Sequence, residues 1–188
     1  MKFTLVYRGP LKSNGSGRDK HAIREKLSLQ LARLYEQPPF NEHYGSYGKL
    51  LNTLEVPHAP ATNVVGGGHP ISIMLPQSHE VLTELDILLL RPEKPGVIIV
   101  SGDLDNRLKT LFDALRAPKL ADEIPASAAP TTQERPLFCL LDDDSQIVRV
   151  NVETDLLLEL VVAQTEVQLF IRVTTRLGRV TLDNMSFG

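Results

Sequence analysis

The feature that most constrains the fold is an amphipathic stretch that closely follows an apolar run. Residues 97–100 are all β-branched and apolar, which predicts a buried central strand. Apolar side chains then recur at helical spacing at Leu104, Leu108, Leu111, Phe112 and Leu115. This spacing places all of them on one face, so the stretch predicts a helix that packs that face against other structure. The chain is therefore expected to combine a sheet with helices.

The remaining patterns predict further strands and a second helix around this unit. Strands are expected at residues 3–7, 82–91, 146–153 and 167–173. The second helix is expected to be capped by Asp19 and to extend to about Tyr35. Residues 38–80 are expected to be irregular, and residues 117–136 to form an exposed loop insertion. The 188 residues thus predict a single α/β (α+β) domain with helices packed on a mixed β-sheet.

Composition limits the cellular compartment and the kinds of site that are expected. No apolar run approaches the roughly 20 residues that cross a bilayer. The start of the chain, Met1 to Leu5, lacks the features of a signal peptide, so a cytoplasmic protein without a membrane partner is expected. The single cysteine, Cys139, excludes an internal disulfide and a cysteine-based zinc site, and its apolar neighbours indicate burial. The five histidines lack metal-ligand spacing and are assigned no chemistry.

Charge is unevenly distributed along the chain. The net charge of -3 argues mildly against nucleic-acid binding, but residues 1–33 carry eight basic and two acidic side chains. Such asymmetry is expected if one region contacts phosphates and another holds cations. Arg18, Lys20 and Arg24 are the candidate phosphate contacts, although a solvated basic helix would have the same charge.

Two groups of carboxylates support a hypothesis about function. Asp103 and Asp105 stand where the central strand gives way to the helix, and Lys109 follows Asp105 by one turn. The second group is the acidic run 142–144, in a turn before a strand. Each group alone has a structural explanation. The first group would be a helix cap with an i,i+4 ion pair, and the second would be a solvated turn. Together they provide oxygen ligands that favour Mg²⁺ or Mn²⁺ over Zn²⁺, beside a lysine, which suits phosphodiester hydrolysis.

Three short motifs connect these acidic groups to a known family. They are Asp-Leu-Asp-Asn-Arg-Leu-Lys at 103–109, Phe-Asp-Ala-Leu at 112–115 and Asp-Asp-Ser-Gln-Ile at 143–147. In this combination they resemble the RusA family of Holliday junction resolvases. The predicted strand at 3–7, followed by Pro10 and Asn14, is also similar to the opening strand and loop of that family. The part of the chain that carries the motifs covers about residues 97–153.

The resemblance implies a RusA-like α/β homodimer that cuts four-way DNA junctions by paired, Mg²⁺-dependent nicks. It implies that Asp103, Asp105 and Asp144 are the essential carboxylates and metal ligands. Lys109 corresponds to the catalytic lysine of the family. Asp143 matches the neighbouring acid and is a further candidate ligand.

Three features depart from the family pattern. Apolar residues at 97–100 stand where the family usually has a basic run, and the connection to the last motif is longer by residues 117–136. The segment 38–80 is also longer than the family pattern leads one to expect. These differences bear on which DNA structure is recognised more than on metal binding. Two alternatives therefore stay open: a nuclease of the same fold that acts on another branched or single-stranded nucleic acid, and a catalytically idle DNA-binding protein.

Overall fold

In the part of the chain that the structure describes, the regular structure consists of β-strands with two helices packed on them. The fold is given by a computed structural model, which describes residues 1–41, 62–65, 69–92, 103–128, 131–132, 136–160, 163–181 and 184–187. The strands of this part are β1 (Lys2–Pro10), β2 (Thr62–Val65), β3 (His69–Leu75), β4 (Val81–Arg91), β5 (Leu137–Leu141), β6 (Ile147–Leu156) and β7 (Glu166–Leu177). Its helices are α1 (Gly17–Tyr35) and α2 (Asp103–Leu115). None of its helices is both long and apolar enough to cross a membrane.

The larger sheet is mixed and has the strand order β1-β7-β4-β6. β1 and β4 each pair antiparallel with β7, whereas β6 runs parallel to β4. Parallel pairing requires a crossover connection, and the chain between β4 and β6 supplies it through α2 and β5. The described residues also form a three-stranded sheet, in the order β2-β3-β5. The prediction of a single α+β domain with helices on a mixed sheet is confirmed.

The main core forms where both helices meet the sheets. Alternate residues of β7 are buried, so one face of this strand points to the core and the other to solvent. The core includes Leu27 and Leu31 of α1, Leu111 and Leu115 of α2, and Leu169 and Ile171 of β7. Burial of a side chain of this size stabilises the fold by about 1.5–3 kcal/mol. The apolar face predicted for α2 therefore holds that helix in place, and Leu27 and Leu31 do the same for α1.

A smaller core lies against the three-stranded sheet and involves the segment after α2. Its buried members are Ile71, Ile73, Ala117, Ile124, Leu137 and Cys139. Residues 117–136 were predicted to be an exposed insertion, but Ala117 and Ile124 are buried. Cys139 is buried as predicted, and burial raises the pKa of its thiol to about 12. The thiol therefore stays neutral at physiological pH and is a poor nucleophile.

Three predicted details differ from the structure or fall outside it. Strands β2 and β3 lie within residues 38–80, which were predicted to be irregular. The N-cap of α1 is Ser16 rather than Asp19. Asp19 instead completes a capping box, in which its carboxylate accepts a hydrogen bond from the backbone N–H of Ser16 at 2.9 Å. The predicted central strand at 97–100 lies outside the described residues.

One buried glutamine fixes the loop that carries the second acidic group. Gln146 is 3% exposed, and its Nε2 donates to the carbonyls of Leu75 at 2.9 Å and Val81 at 3.2 Å. Its Oε1 accepts from the backbone N–H groups of Asp142 at 2.9 Å and Asp143 at 3.1 Å. This single amide therefore joins the end of β3, the start of β4 and the acidic loop.

Replacing Gln146 with leucine is expected to lower the free energy of unfolding by about 2–4 kcal/mol, because backbone groups lose their buried partners. Urea denaturation measures this change. Gln37→Leu, at an exposed glutamine, is the matched control and should change stability by less than about 0.5 kcal/mol. Equal effects of the two substitutions would contradict the anchoring role of Gln146.

Candidate active site

Helix α2 begins at Asp103 and carries Asp105 and Lys109 one turn apart on an exposed flank. Its apolar face, which includes Leu111 and Leu115, is packed into the core. The helix therefore has one orientation available, and that orientation leaves the two charged side chains in solvent. The side chain of Asp103 lies outside the described part of the structure, so its position beside Asp105 stays a prediction.

The charges on this exposed flank differ from those of their neighbours in their ion pairing. Within the described part of the chain, neither Asp105 nor Lys109 forms an ion pair. Asp113, the other acid one turn from Lys109, is instead paired with Lys20 at 2.7 Å and with Arg116 at 3.5 Å. The i,i+4 ion pair that would have given Lys109 a purely structural role is thus not formed among these residues.

Two neighbouring carboxylates of the acidic turn are in different states. Asp143 forms an ion pair with Lys119 and accepts a hydrogen bond from the backbone N–H of Ser145 at 2.9 Å. The Lys119 ammonium, with the contribution of Ser145, holds the pKa of the Asp143 carboxyl well below its usual range. Asp144 is exposed and forms no ion pair with any residue that the structure describes. Asp144 is therefore the more available of the two as a ligand.

The two acidic groups belong to adjoining elements. Helix α2 contacts the 3₁₀ turn Asp144–Gln146, with Cα atoms of the two elements within 8 Å. This contact brings together the elements that carry Asp105 and Asp144, although the chain separates them widely. Among the described side chains, no group of three or more His, Cys, Asp or Glu residues is arranged to hold a metal ion. That count does not cover the side chain of Asp103, the third predicted ligand.

The three predicted phosphate contacts have different surroundings. Arg18 is exposed, and Lys20 is partly buried and paired with Asp113. Arg24 is 1% exposed, and its guanidinium donates to the carbonyls of Asp113 at 2.7 Å and Arg116 at 3.2 Å. A side chain buried in this way cannot reach a phosphate, so the prediction for Arg24 is wrong. Its role is to hold α1 against the end of α2.

Sequence reasoning missed two residues that shape the acidic loop. Lys119, which pairs with Asp143, lies 24 residues before it in a segment without any motif. Gln146 is part of the third motif, but nothing in the sequence indicates that its side chain is buried and bonded to four backbone groups.

Comparisons with models of protein families, with curated proteins and with solved structures find no match to this chain. The resemblance to the RusA family therefore rests on the three motifs quoted above.

The different states of Asp143 and Asp144 lead to opposite expected effects of the same substitution. Asp143→Asn loses the ion pair and should melt below the wild type at pH 7. Because the folded-state pKa of Asp143 is lowered, its stabilisation is present above the ordinary carboxyl pKa of about 3.9 and is lost as the pH falls further. Asp144→Asn removes a repulsive charge and should melt at or above the wild type. Thermal unfolding at pH 7 and in acid tests both, and equal losses at pH 7 would contradict the distinction.

Proposed function

We propose that this chain is a Mg²⁺-dependent endonuclease that hydrolyses phosphodiester bonds in branched DNA, in the manner of the RusA-like Holliday junction resolvases. One observation carries the proposal. Asp105, Lys109 and Asp144 are exposed on adjoining elements and form no ion pair within the described structure, whereas their neighbours Asp113 and Asp143 are paired. Carboxylates that are not paired with a cationic side chain remain available to bind a cation from solution.

The donor set fits a hard divalent cation. Carboxylate oxygens are the ligands that Mg²⁺ prefers, and Mn²⁺ is a substitute. When bound, the cation would activate water and neutralise phosphoryl oxygens. Asp103, Asp105 and Asp144 would hold it, while Asp143, already neutralised by an ion pair, would shape the loop. Lys109 would place its ammonium beside the phosphoryl group and offset charge on the leaving oxygen as the bond breaks.

The start of α1 supplies basic side chains close to α2. The backbone N–H of Gly15 donates to Oγ1 of Thr110 at 2.9 Å. A Cβ at Gly15 would lie 2.6 Å from Cγ2 of Thr110, so glycine is needed for this close approach. Arg18, which is exposed, follows directly and would contact a DNA phosphate, whereas Lys20 is already paired with Asp113. Because paired nicks across a four-way junction need two active sites, the proposal includes a homodimer.

The proposal is tested first by cleavage of labelled DNA. The protein should cut a four-way junction in Mg²⁺ or Mn²⁺, leave a matched linear duplex intact and stop when the metal is chelated. Asp105→Asn and Asp144→Asn should each lower the rate at least about a hundredfold, whereas the exposed acid variant Asp122→Asn should not.

Three outcomes of this assay contradict all or part of the proposal. Cutting that survives chelation, or that is unchanged in Asp105→Asn and Asp144→Asn, would contradict the proposed site. Cutting of single strands but not junctions would favour the alternative nuclease. Binding without any cutting would favour the idle DNA-binding protein.

Substitution of Lys109 distinguishes a catalytic role of this residue from a role in helix stability. Lys109→Met keeps bulk and helix propensity but removes the charge, so the protein should fold and bind DNA normally. Its cleavage rate should fall by about 10²–10³, the usual cost of losing one transition-state contact. Lys109→Arg should retain more activity, and Lys26→Met, at an exposed lysine of α1, is the matched control.

These rates should be measured with enzyme in excess, so that product release does not hide the chemical step. A wild-type rate in Lys109→Met would remove this residue from the catalytic set. Slower cutting that is fully explained by weaker binding would assign Lys109 to DNA recognition instead.

A further inference from the structure

One face of the larger sheet points away from both helices. In β7, Leu169 and Ile171 point to the core that the helices cover, so Phe170 and Arg172, which alternate with them, point the other way. A groove of about 560 Å³ crosses this outer face, and most of the residues that line it are half-buried or exposed. The groove therefore offers accessible surface to a ligand, on the opposite side of the sheet from α2.

Three apolar side chains form a row across the middle of the outer face. The strand register places Phe170 of β7 between Val6 of β1 and Leu88 of β4. Val6 is 40% exposed, and Phe170 and Leu88 are half-buried. None of the three belongs to either core cluster, so their apolar surface is not used to join the sheet to the helices. Part of the Phe170 side chain therefore remains accessible on this face.

The next row of the outer face contains a cation that the protein leaves unpaired. Arg172 lies opposite Asp86 of β4 in the strand register. Both carboxylate oxygens of Asp86, however, accept hydrogen bonds from Arg149, at 3.1 and 3.0 Å. Arg172 is exposed and forms no ion pair with any residue that the structure describes. Its guanidinium donors are therefore available to a ligand two residues along the strand from Phe170.

The other charges of the outer face are distributed unevenly between its strands. Glu84 of β4 is held by Arg149 at 3.0 Å and by Arg176 at 2.5 Å, so these charges offset one another. Lys2 of β1 and Glu153 of β6 are exposed, and neither forms an ion pair within the described structure. The unpaired cations, Lys2 and Arg172, thus lie on the β1–β7 half of the face, and the unpaired acid lies on β6 at the far edge.

We propose that the β1–β7 half of this outer face binds an unpaired strand of DNA, with one base against Phe170 and a backbone phosphate on Arg172. The inference goes beyond the proposed function, because it uses none of the acids of the candidate active site. Proteins that bind single strands combine cations that follow the backbone with aromatic side chains on which bases stack. Both kinds of group are present here on neighbouring rows of one face.

The combination favours a single strand over other polyanions. The bases of a duplex are stacked on each other, so they are not free to lie on a side chain, whereas those of an unpaired strand are. An acidic peptide would be attracted to Lys2 and Arg172 but would leave the apolar row of Val6, Phe170 and Leu88 without a partner. A branched substrate of the proposed nuclease is one source of unpaired nucleotides.

The experiment measures the binding of full-length protein to labelled oligothymidine, and to the same strand annealed to its complement, by fluorescence anisotropy. A chelator prevents cutting, and the salt concentration is varied. Phe170→Ala removes the ring and Arg172→Gln removes the charge. Leu29→Ala and Arg33→Gln are the matched controls, because both residues are exposed on α1, on the other side of the sheet.

Phe170→Ala should weaken binding to oligothymidine by about tenfold and leave binding to the duplex unchanged. Arg172→Gln should weaken it as well, and should flatten the plot of log affinity against log salt by about 0.7, the value for one phosphate contact to a single strand. The two control variants should bind as the wild type does. If Phe170→Ala does not fold, Arg172→Gln decides, because its side chain is exposed.

Several outcomes would overturn the inference. They are a wild type that does not bind oligothymidine, an unchanged salt dependence in Arg172→Gln, and equal losses in the control variants. Displacement of the strand by poly-glutamate as readily as by unlabelled oligothymidine would assign the face to acidic peptides. Self-association that Phe170→Ala abolishes, with strand binding intact, would assign it to a second copy of the chain.

The same assay keeps the strand-binding face separate from the nuclease. Asp105→Asn should bind oligothymidine as the wild type does, since Asp105 lies on α2, on the opposite side of the sheet. Strand binding that depends on Phe170 and Arg172, in a protein that cuts no DNA in Mg²⁺, supports the face and contradicts the nuclease. Cutting of junctions by a protein whose strand binding ignores both substitutions contradicts the face and supports the nuclease.

Discussion

Gln146 occupies the point where the two sheets and the acidic loop meet. Its amide donates to Leu75 at the end of β3 and Val81 at the start of β4, and it accepts from two backbone N–H groups of the loop. In a buried setting such bonds are strong when made and costly when broken. Asp144 lies two residues before Gln146, and the turn that holds both residues contacts α2. The placement of the available carboxylate therefore depends on this one amide.

The charged side chains of this region fall into two sets, those that are paired within the protein and those that are not. Arg24 is buried against backbone carbonyls, Asp113 is shared between two cations and Asp143 is held by Lys119, so these charges serve the fold. Asp105 and Asp144 are exposed on two elements that contact each other, and neither forms an ion pair in the described structure. Under the proposed function, a divalent cation would be the ligand of opposite charge for these two carboxylates.

Periodic segments could be predicted from the sequence, and contacts between distant residues could not. Helix α2 and strand β7 carry clear apolar periods, so their type and buried face follow directly. In β3, Pro70 and Ser72 interrupt the apolar pattern, and both are buried by tertiary packing that the sequence does not reveal. The burial of Arg24 and the pairing of Lys119 with Asp143 likewise depend on the folded arrangement. The candidate acids were identifiable because their motifs are local.

The central claim is that Asp105 and Asp144 share one divalent cation, and anomalous diffraction from manganese tests it most directly. Crystals would contain the protein, Mn²⁺ and a short four-way junction with non-hydrolysable linkages at the branch point, since such a cation often needs phosphate oxygens to complete its shell. The account predicts a manganese peak about 2 Å from carboxylate oxygens of both residues. A junction-bound structure with no peak there, or with manganese held by other residues, would contradict it.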